Sequence, residues 1–180
     1  MRIIAAISTV ALGVALTACG NREPRGYVHI GPDELPTESY VRPPKNPRSD
    51  SDYVVKLENL TSFYDVPGEA GYLMEGADHG FESLSFIMTE TQPCGGPPLH
   101  THETEEAHVI YHGRMGYVVG DRRFEAVGPY VVRIPAGVAH TFVNTGDQPL
   151  NLTAVFPSSH LSYTEIGPNP LIEKRCKLFQ

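Results

Sequence analysis

Basic residues are scarce in this sequence: 14 Lys and Arg stand against 21 Asp and Glu in 180 residues, a formal net charge of −7. A nucleic-acid surface needs clustered Lys and Arg to meet phosphates, so no nucleic-acid partner is expected. Any uninterrupted apolar stretch of about twenty residues, the length a membrane-spanning helix requires, is also missing. Only 19% of the residues are charged while 41% are hydrophobic, a balance that argues against wholesale disorder. The sequence contains no Gly-x-Ser-x-Gly elbow, no Gly-rich phosphate loop ending in Lys-Ser or Lys-Thr, and no internal repeat or low-complexity tract. Helical bundles are excluded by the opposite of scarcity, because 17 Gly and 16 Pro are far too many helix breakers. What remains is a turn-rich, mostly β protein, long enough for one domain with a substantial core.

Met1-Arg2 is a short basic start, and Ile3 to Leu16 is an uncharged apolar run that suits a signal-peptide core better than a span. The run ends Leu16-Thr17-Ala18-Cys19-Gly20, which resembles the lipobox of bacterial lipoproteins. The resemblance implies that residues 1–18 are a signal peptide and that the Cys19 thiol is lipidated and becomes the first mature residue. It further implies a bacterial cell-envelope location, with the membrane as a partner through the lipid anchor. Gly20 in place of Asp after the Cys implies outer-membrane sorting, facing the periplasm, in a Gram-negative host. An ordinary secretory signal and a short uncleaved anchor are the other readings of the same run. Residues 19–52 then comprise the lipidated Cys and a Pro-rich tether: Asn21 to Asp52 holds six prolines and few aliphatic residues, so it has little to bury. The alternative is that part of it packs as an edge strand, with Tyr27-Val28-His29-Ile30 as the candidate.

With Cys19 taken by lipid, two of the three cysteines remain, Cys94 and Cys176, an even pair in an oxidising compartment. A disulfide between them would tie the C-terminal tail, residues 168–180, to the domain. Two unpaired thiols, or Cys94 acting near the site described below, are the competing readings, since spacing does not show whether two Cβ atoms meet.

Residues 53–167 carry the domain, and there the pattern is short strands and turns. Tyr53–Leu57, Gly71–Met74 and Phe81–Glu90 are bounded by Gly or Pro, and Leu84, Phe86 and Met88 alternate with Ser85 and Ile87 as in a half-buried strand. Further strands are expected at 107–111, 116–119, 122–127, 130–134, 138–144, 150–156 and 161–166. Val119-Gly120-Asp121-Arg122 reads as a hairpin turn, with Gly supplying a positive φ. About ten short strands at this spacing mean an all-β sandwich or barrel rather than βαβ units.

Five of the eight histidines fall between residues 100 and 140. His100 and His102 are two apart, so on a strand they share a face. Glu106 follows within reach of a tight turn, and Pro135-Ala136-Gly137 makes a turn that delivers His140 at the start of another strand. Three imidazoles and a carboxylate form a nitrogen and oxygen donor set suited to a divalent first-row metal. His108, two beyond Glu106, shares its inward face and reads either as a proton shuttle beside the site or as a packed, hydrogen-bonded core imidazole. His112 belongs to the turn before Gly113 and is expected to be exposed. Phe142 is expected as the pocket floor, Asn144 as a turn-fixing hydrogen bonder, and Tyr163 and Glu165 as ordinary strand residues.

The run from Gly95 through His100-Thr101-His102 and Glu106 to Gly113 resembles the first motif of the cupin superfamily. The run from Gly128 through Pro135-Ala136-Gly137, His140 and Asn144 resembles the second. Two departures are visible. Cys94 stands where the family has its first Gly, and one extra residue separates Gly128 from Pro135. The resemblance covers roughly residues 82–157 and implies an antiparallel double-stranded β-helix, a jelly-roll barrel with a metal in its mouth.

It also implies one divalent transition metal (Mn, Fe, Ni, Cu or Zn) held by His100, His102, Glu106 and His140, with Glu106 alternatively leaving the metal to act as base. A degenerate cupin using the same four residues as a polar cluster is the competing reading. Catalytic roles fall to Glu106 and His108. The expected activity is on a small organic substrate, with oxygenase-type chemistry first. A non-catalytic metallo-cupin binding a small ligand or metal, or an isomerase or lyase, is the alternative, because the fold hosts many activities. A homodimer is a further expectation of the resemblance.

Overall fold

The computed structural model describes residues 26–45 and 53–172. The expected signal peptide, Cys19 and Cys176 lie outside the described residues.

Stretches rich in β-branched and aromatic residues, cut by Gly, Pro and Asn, pair into antiparallel ladders. In chain order these strands are β1 (Tyr40–Arg42), β2 (Thr61–Asp65), β3 (Glu69–Met74), β4 (Ser85–Thr91), β5 (Leu99–Thr101) and β6 (Glu106–Ile110). They continue as β7 (Arg114–Val119), β8 (Arg122–Val127), β9 (Tyr130–Ile134), β10 (His140–Asn144), β11 (Leu150–Phe156) and β12 (Thr164–Gly167). One sheet runs β1-β2-β3-β4-β11-β6-β9 and the other β12-β5-β10-β7-β8. Sequence neighbours such as β5 and β6 lie in different sheets, the crossing pattern of a jelly roll. The expected all-β fold is therefore the observed one.

Along β11 every second side chain is buried, so Leu150, Leu152, Ala154 and Phe156 face inward. With Ile110, Met115, Tyr117 and Phe142 they form the core, each large side chain contributing roughly 1.5–3 kcal/mol by leaving water. The β7–β8 hairpin turns through Gly120-Asp121, with Gly120 at φ +55° as the sequence required. Between the sheets a cavity of about 760 Å³ stays unfilled, lined by inward residues of both.

Three features depart from the sequence reading or go beyond it. Tyr53 to Leu57 is not a strand: Tyr53 and Val54 are exposed, and a 3₁₀ turn occupies Leu57–Asn59. The Asn59 side chain accepts the Lys56 N–H at 3.1 Å while its own N–H returns to the Lys56 carbonyl, a local closure that competes with pairing. In β4 the alternation expected of Leu84, Phe86 and Met88 against Ser85 and Ile87 left the inward face open, and it is Ile87 and Thr89 that line the cavity. Alternation identifies two faces, and which face meets the core is set by register with β3 and β11.

The third feature concerns the expected tether. Residues 26–45 lie against the larger sheet, and the edge strand forms at Tyr40–Arg42, paired with β2, instead of at Tyr27–Ile30. Tyr40 stacks on buried Tyr64. Polar groups hold the rest. The buried Glu90 carboxylate accepts the Ile30 and Gly31 N–H groups at 2.8 and 2.9 Å, meets His29 Nδ1 at 3.0 Å and accepts Gln92 Nε2 at 2.8 Å. Asn151 accepts the Val28 N–H at 2.6 Å and donates back to its carbonyl at 2.8 Å. A low aliphatic content is compatible with docking when buried side-chain acceptors are waiting for the segment's backbone donors.

Cys94 is the only described non-glycine residue with positive φ, at +66°, and its N–H donates to the Asn144 carbonyl at 2.9 Å. It occupies the position where the resembled motif has Gly, and the left-handed backbone explains that preference, because a Cβ there crowds the following carbonyl. Cys94 is disulfide-bonded, with its partner outside the described residues. Because Gly relieves the left-handed strain that Ala retains, Cys94→Gly should be about 1 kcal/mol more stable than Cys94→Ala. Urea unfolding of the two thiol-free variants side by side measures this difference, and equal midpoints would contradict it.

Candidate metal centre

Each of the two motifs contributes to one end of the cavity. Strand β5 places His100, and His102 follows just past its end. Strand β6 opens on Glu106 and β10 opens on His140, with His140 directly opposite His100 in the ladder. The turn at Pro135-Ala136-Gly137 is tied to the first motif by the Gly137 N–H, which donates to the His102 carbonyl at 2.8 Å. Behind β5, Gly96 lets two chains touch: a Cβ there would stand 2.0 Å from the Phe142 carbonyl oxygen. Thr141 and Asn169 both donate to the Pro97 carbonyl, at 2.7 and 2.9 Å, which fixes the approach to His100.

The four side chains are buried, and their candidate ligand atoms all lie within 4.8 Å of one another. Each imidazole is oriented from behind. His100 Nδ1 donates to the Pro98 carbonyl at 2.8 Å, His140 Nδ1 to the Val138 carbonyl at 2.9 Å, and His102 Nδ1 to the Ser162 carbonyl. A carbonyl oxygen only accepts, so each Nδ1 carries the proton and each neutral ring presents a bare Nε2 lone pair to the centre. His140 Nε2 stands 2.8 Å from Glu106 Oε2 and His102 Nε2 3.5 Å from it. Buried Glu106 Oε2 and His140 Nε2 have no hydrogen-bond partner among the described residues. Lone pairs facing one another at this separation with no proton between them fit a cation that accepts all four.

The surroundings tune these groups. Burial, then the neighbouring His140, pushes the His100 imidazole down to about 3, and burial likewise lowers His102. Burial by itself would raise Glu106, but His108 and His140 against its carboxylate hold it well below the usual range. His100, His102 and Glu106 thus stand in the protonation states that metal ligation demands. His108 Nε2 meets the second carboxylate oxygen, Glu106 Oε1, at 2.7 Å, which fixes the carboxylate's rotation. It is a buried, hydrogen-bonded imidazole packed against Phe142 and Tyr117, and its Nδ1 has no partner among the described residues.

The other residues singled out in the sequence fall as follows. Phe142 lines the cavity, and Asn144 fixes the turn beyond β10 by donating to the Thr91 and Gln148 carbonyls and accepting the Gly146 N–H. His112 is half-buried with both ring nitrogens enclosed, a correction to its expected exposure, because Gly26 and Gly128 pack over it. Tyr163 and Glu165 are not ordinary strand residues. Both line the cavity, and Tyr163 stacks on His100 with ring centroids 4.8 Å apart and planes 24° from parallel. Asp65 and Glu69, which the sequence did not mark, line the same cavity. No spacing signal could have found them, since they sit 30 and 26 residues before Gly95, where the first motif starts, and reach the site only through the β2–β3 ladder.

Comparisons with known proteins agree with this geometry. Residues 87–156 match the cupin domain family. No curated protein matches the chain. Among solved structures, the formate complex of Lactobacillus farciminis oxalate decarboxylase superposes with a TM-score of 0.55 at 23% identity, over 60% of this chain and 34% of that one. Oxalate decarboxylase from Bacillus subtilis at pH 4.6 gives a TM-score of 0.53 at 20% identity, over 57% and 28%. A structure of the Bacillus subtilis enzyme used to assign its Mn(II) centres gives 0.53 at 20%, over 57% and 29%. This chain spans about a third of the length of those enzymes, and the likeness is one of fold. Both motifs converge on a single buried site inside a two-sheet jelly roll, and the stretch that matches the cupin domain family, residues 87–156, contains all four of the site's residues.

Proposed function

We propose that this protein is an envelope-anchored, metal-dependent cupin that carries out oxygenase-type chemistry on a small organic substrate. The observation that carries the metal-dependent part is the set of four convergent, proton-free lone pairs, two of them on buried atoms without a partner. His100, His102 and His140 through Nε2, with Glu106 through Oε2, would hold one divalent ion of the Mn, Fe, Ni, Cu or Zn series. Once bound, that ion supplies Lewis-acid polarisation of a substrate oxygen and, where redox-active, access to O₂ chemistry.

The chain's own residues do the rest. Glu106 is the carboxylate placed to accept a proton from a substrate hydroxyl, and the His108 hydrogen bond keeps it aimed. Phe156 packs edge-on to His102 and Tyr163 covers His100, which keeps bulk water from the reacting end. Leu73, Ile87, Phe142, Leu152 and Leu161 give an apolar body something to lie against.

Oxalate decarboxylation, the activity of the solved neighbours, is less well supported than oxygenation of a larger molecule. The described residues lining the cavity include no Lys or Arg to receive a dianion, and the cavity is far roomier than a two-carbon acid needs. The leader motif at Leu16–Gly20 supports the envelope anchor.

Protein purified without chelators or affinity nickel should contain close to one equivalent of transition metal by elemental analysis, and His140→Ala should lose most of it. Absence of metal, with no uptake on adding it back, sinks the ligand assignment. Oxygen electrode traces with flavonols, catechols and β-diketones should show uptake by the wild type that His140→Ala abolishes. Identical traces on every substrate would favour a metallo-cupin that binds without catalysis. Separately, Cys19→Ser should abolish acylation and move the protein from the membrane to the soluble fraction on centrifugation.

A further inference from the structure

One wall of the cavity gathers acidic residues. Asp65 and Glu69 are directly opposite each other at the closed end of the β2–β3 hairpin, and Glu165 reaches the same space from β12 in the other sheet. Like charges facing each other across an antiparallel pair are destabilising. Of the other acids of the lining, Glu75 meets His160 at 3.0 Å, Glu106 belongs to the candidate metal centre, and Asp78 lies apart in the 3₁₀ turn Gly76–His79. Neither Lys nor Arg is found among the described lining residues.

Glu69 is the decisive residue. It is 3% exposed, its side chain lines the cavity, and its carboxyl group has no hydrogen-bond partner among the described residues. Buried polar groups are ordinarily partnered, and a buried carboxylate without a partner is costly. Burial, then Asp65 and Glu106, holds this carboxyl well above the usual range, as a group waiting for a positive neighbour should be held. Asp65 is raised in the same way, by burial and then by Glu165. Beside these acids stand the rings of Phe63 and Tyr163, and Leu73 and Ile87 line the same cavity. Carboxylates, aromatic rings and aliphatic walls together describe a receptor for an organic cation, since an ammonium group gains from both acids and ring faces while its hydrocarbon part is desolvated.

We propose that the Asp65–Glu69–Glu165 wall binds the ammonium group of a small organic amine, with Glu69 as the specificity-determining residue. This rests on the reading of the cavity as a substrate site. It narrows the substrate class to amines with a compact apolar or aromatic body and disfavours carboxylic acids.

Three probes of matched size separate charge from shape: 2-phenylethylamine, 2-phenylethanol and 3-phenylpropionate. They are titrated by calorimetry into the metal-loaded full chain. The amine should bind at least about tenfold more tightly than the alcohol, and the carboxylate should bind most weakly. Glu69→Gln should remove most of the amine's advantage while leaving the alcohol's affinity and the metal content unchanged. Should Glu69→Gln fail to fold, Asp65→Asn takes its place, with a smaller loss for the amine alone.

Carboxylate binding as tight as the amine's would overturn the proposal, as would an amine affinity that neither substitution changes. Loss of metal from Glu69→Gln would also overturn it, because Glu69 would then belong to the metal centre. The ranking of the three probes is repeated on His140→Ala. An amine preference retained there, alongside a wild type that holds no metal, would defeat the metal-dependent reading while leaving the acidic wall standing.

Discussion

Three backbone carbonyls decide the character of this protein. By accepting the Nδ1 protons of His100, His102 and His140, the Pro98, Ser162 and Val138 carbonyls compel each imidazole to turn a bare Nε2 toward the same point as Glu106 Oε2. Without that tautomer control, the same four residues would satisfy one another as an ordinary hydrogen-bonded cluster. With it, they face one another with lone pairs alone, an arrangement that is unfavourable until a cation occupies it. Much of the surrounding architecture maintains this orientation. Gly96 permits the close approach to β10, Thr141 and Asn169 hold the Pro97 carbonyl, and Gly137 joins the second motif to the first.

The cavity carries two polar features. In the candidate metal centre each imidazole presents a proton-free Nε2, and His108 and His140 hold the Glu106 carboxylate in its charged form. Asp65 and Glu69 face each other on the β2–β3 hairpin, Glu165 stands opposite His100 on β12, and burial with neighbouring negative charge raises Asp65 and Glu69. The rest of the lining includes aliphatic and aromatic side chains. Under the proposals above, a molecule that meets both features offers an oxygen or other donor to the first and positive charge to the second.

Polar clamps also explain how the barrel is closed on its outside. Residues 26–45 have little to bury, and composition favours a free spacer. They dock because Glu90 and Asn151, both on the larger sheet, present side-chain acceptors to backbone N–H groups that would otherwise need water. Val41 and Pro44 consequently line the cavity, so a segment outside the matched domain helps to shape the site. Cys94 shows the same economy at a single residue: a left-handed backbone that glycine would adopt freely is imposed on a side chain that is disulfide-bonded.

Local chemistry in the sequence was enough to determine the all-β class, the Gly120-Asp121 hairpin, the β8, β9 and β11 strands and the four ligand candidates. Most of these depend on residue type at short spacing, such as period two on a strand, glycine at positive φ, or donors a turn apart, while His140 joins the ligand candidates through a second motif 34 residues beyond Glu106. Tertiary structure alone decided which face of β4 looks inward, that Tyr53–Val54 stays unpaired, and that His112 is enclosed. It alone brought Asp65, Glu69, Tyr163 and Glu165 to the same cavity as the histidines. Those outcomes depend on register between strands and on which sheet each strand joins, and such long-range pairings leave no periodicity for a sequence to display. The candidate metal centre was therefore legible from its two motifs, whereas the acidic wall of the cavity exists only once β2, β3 and β12 have been brought around it.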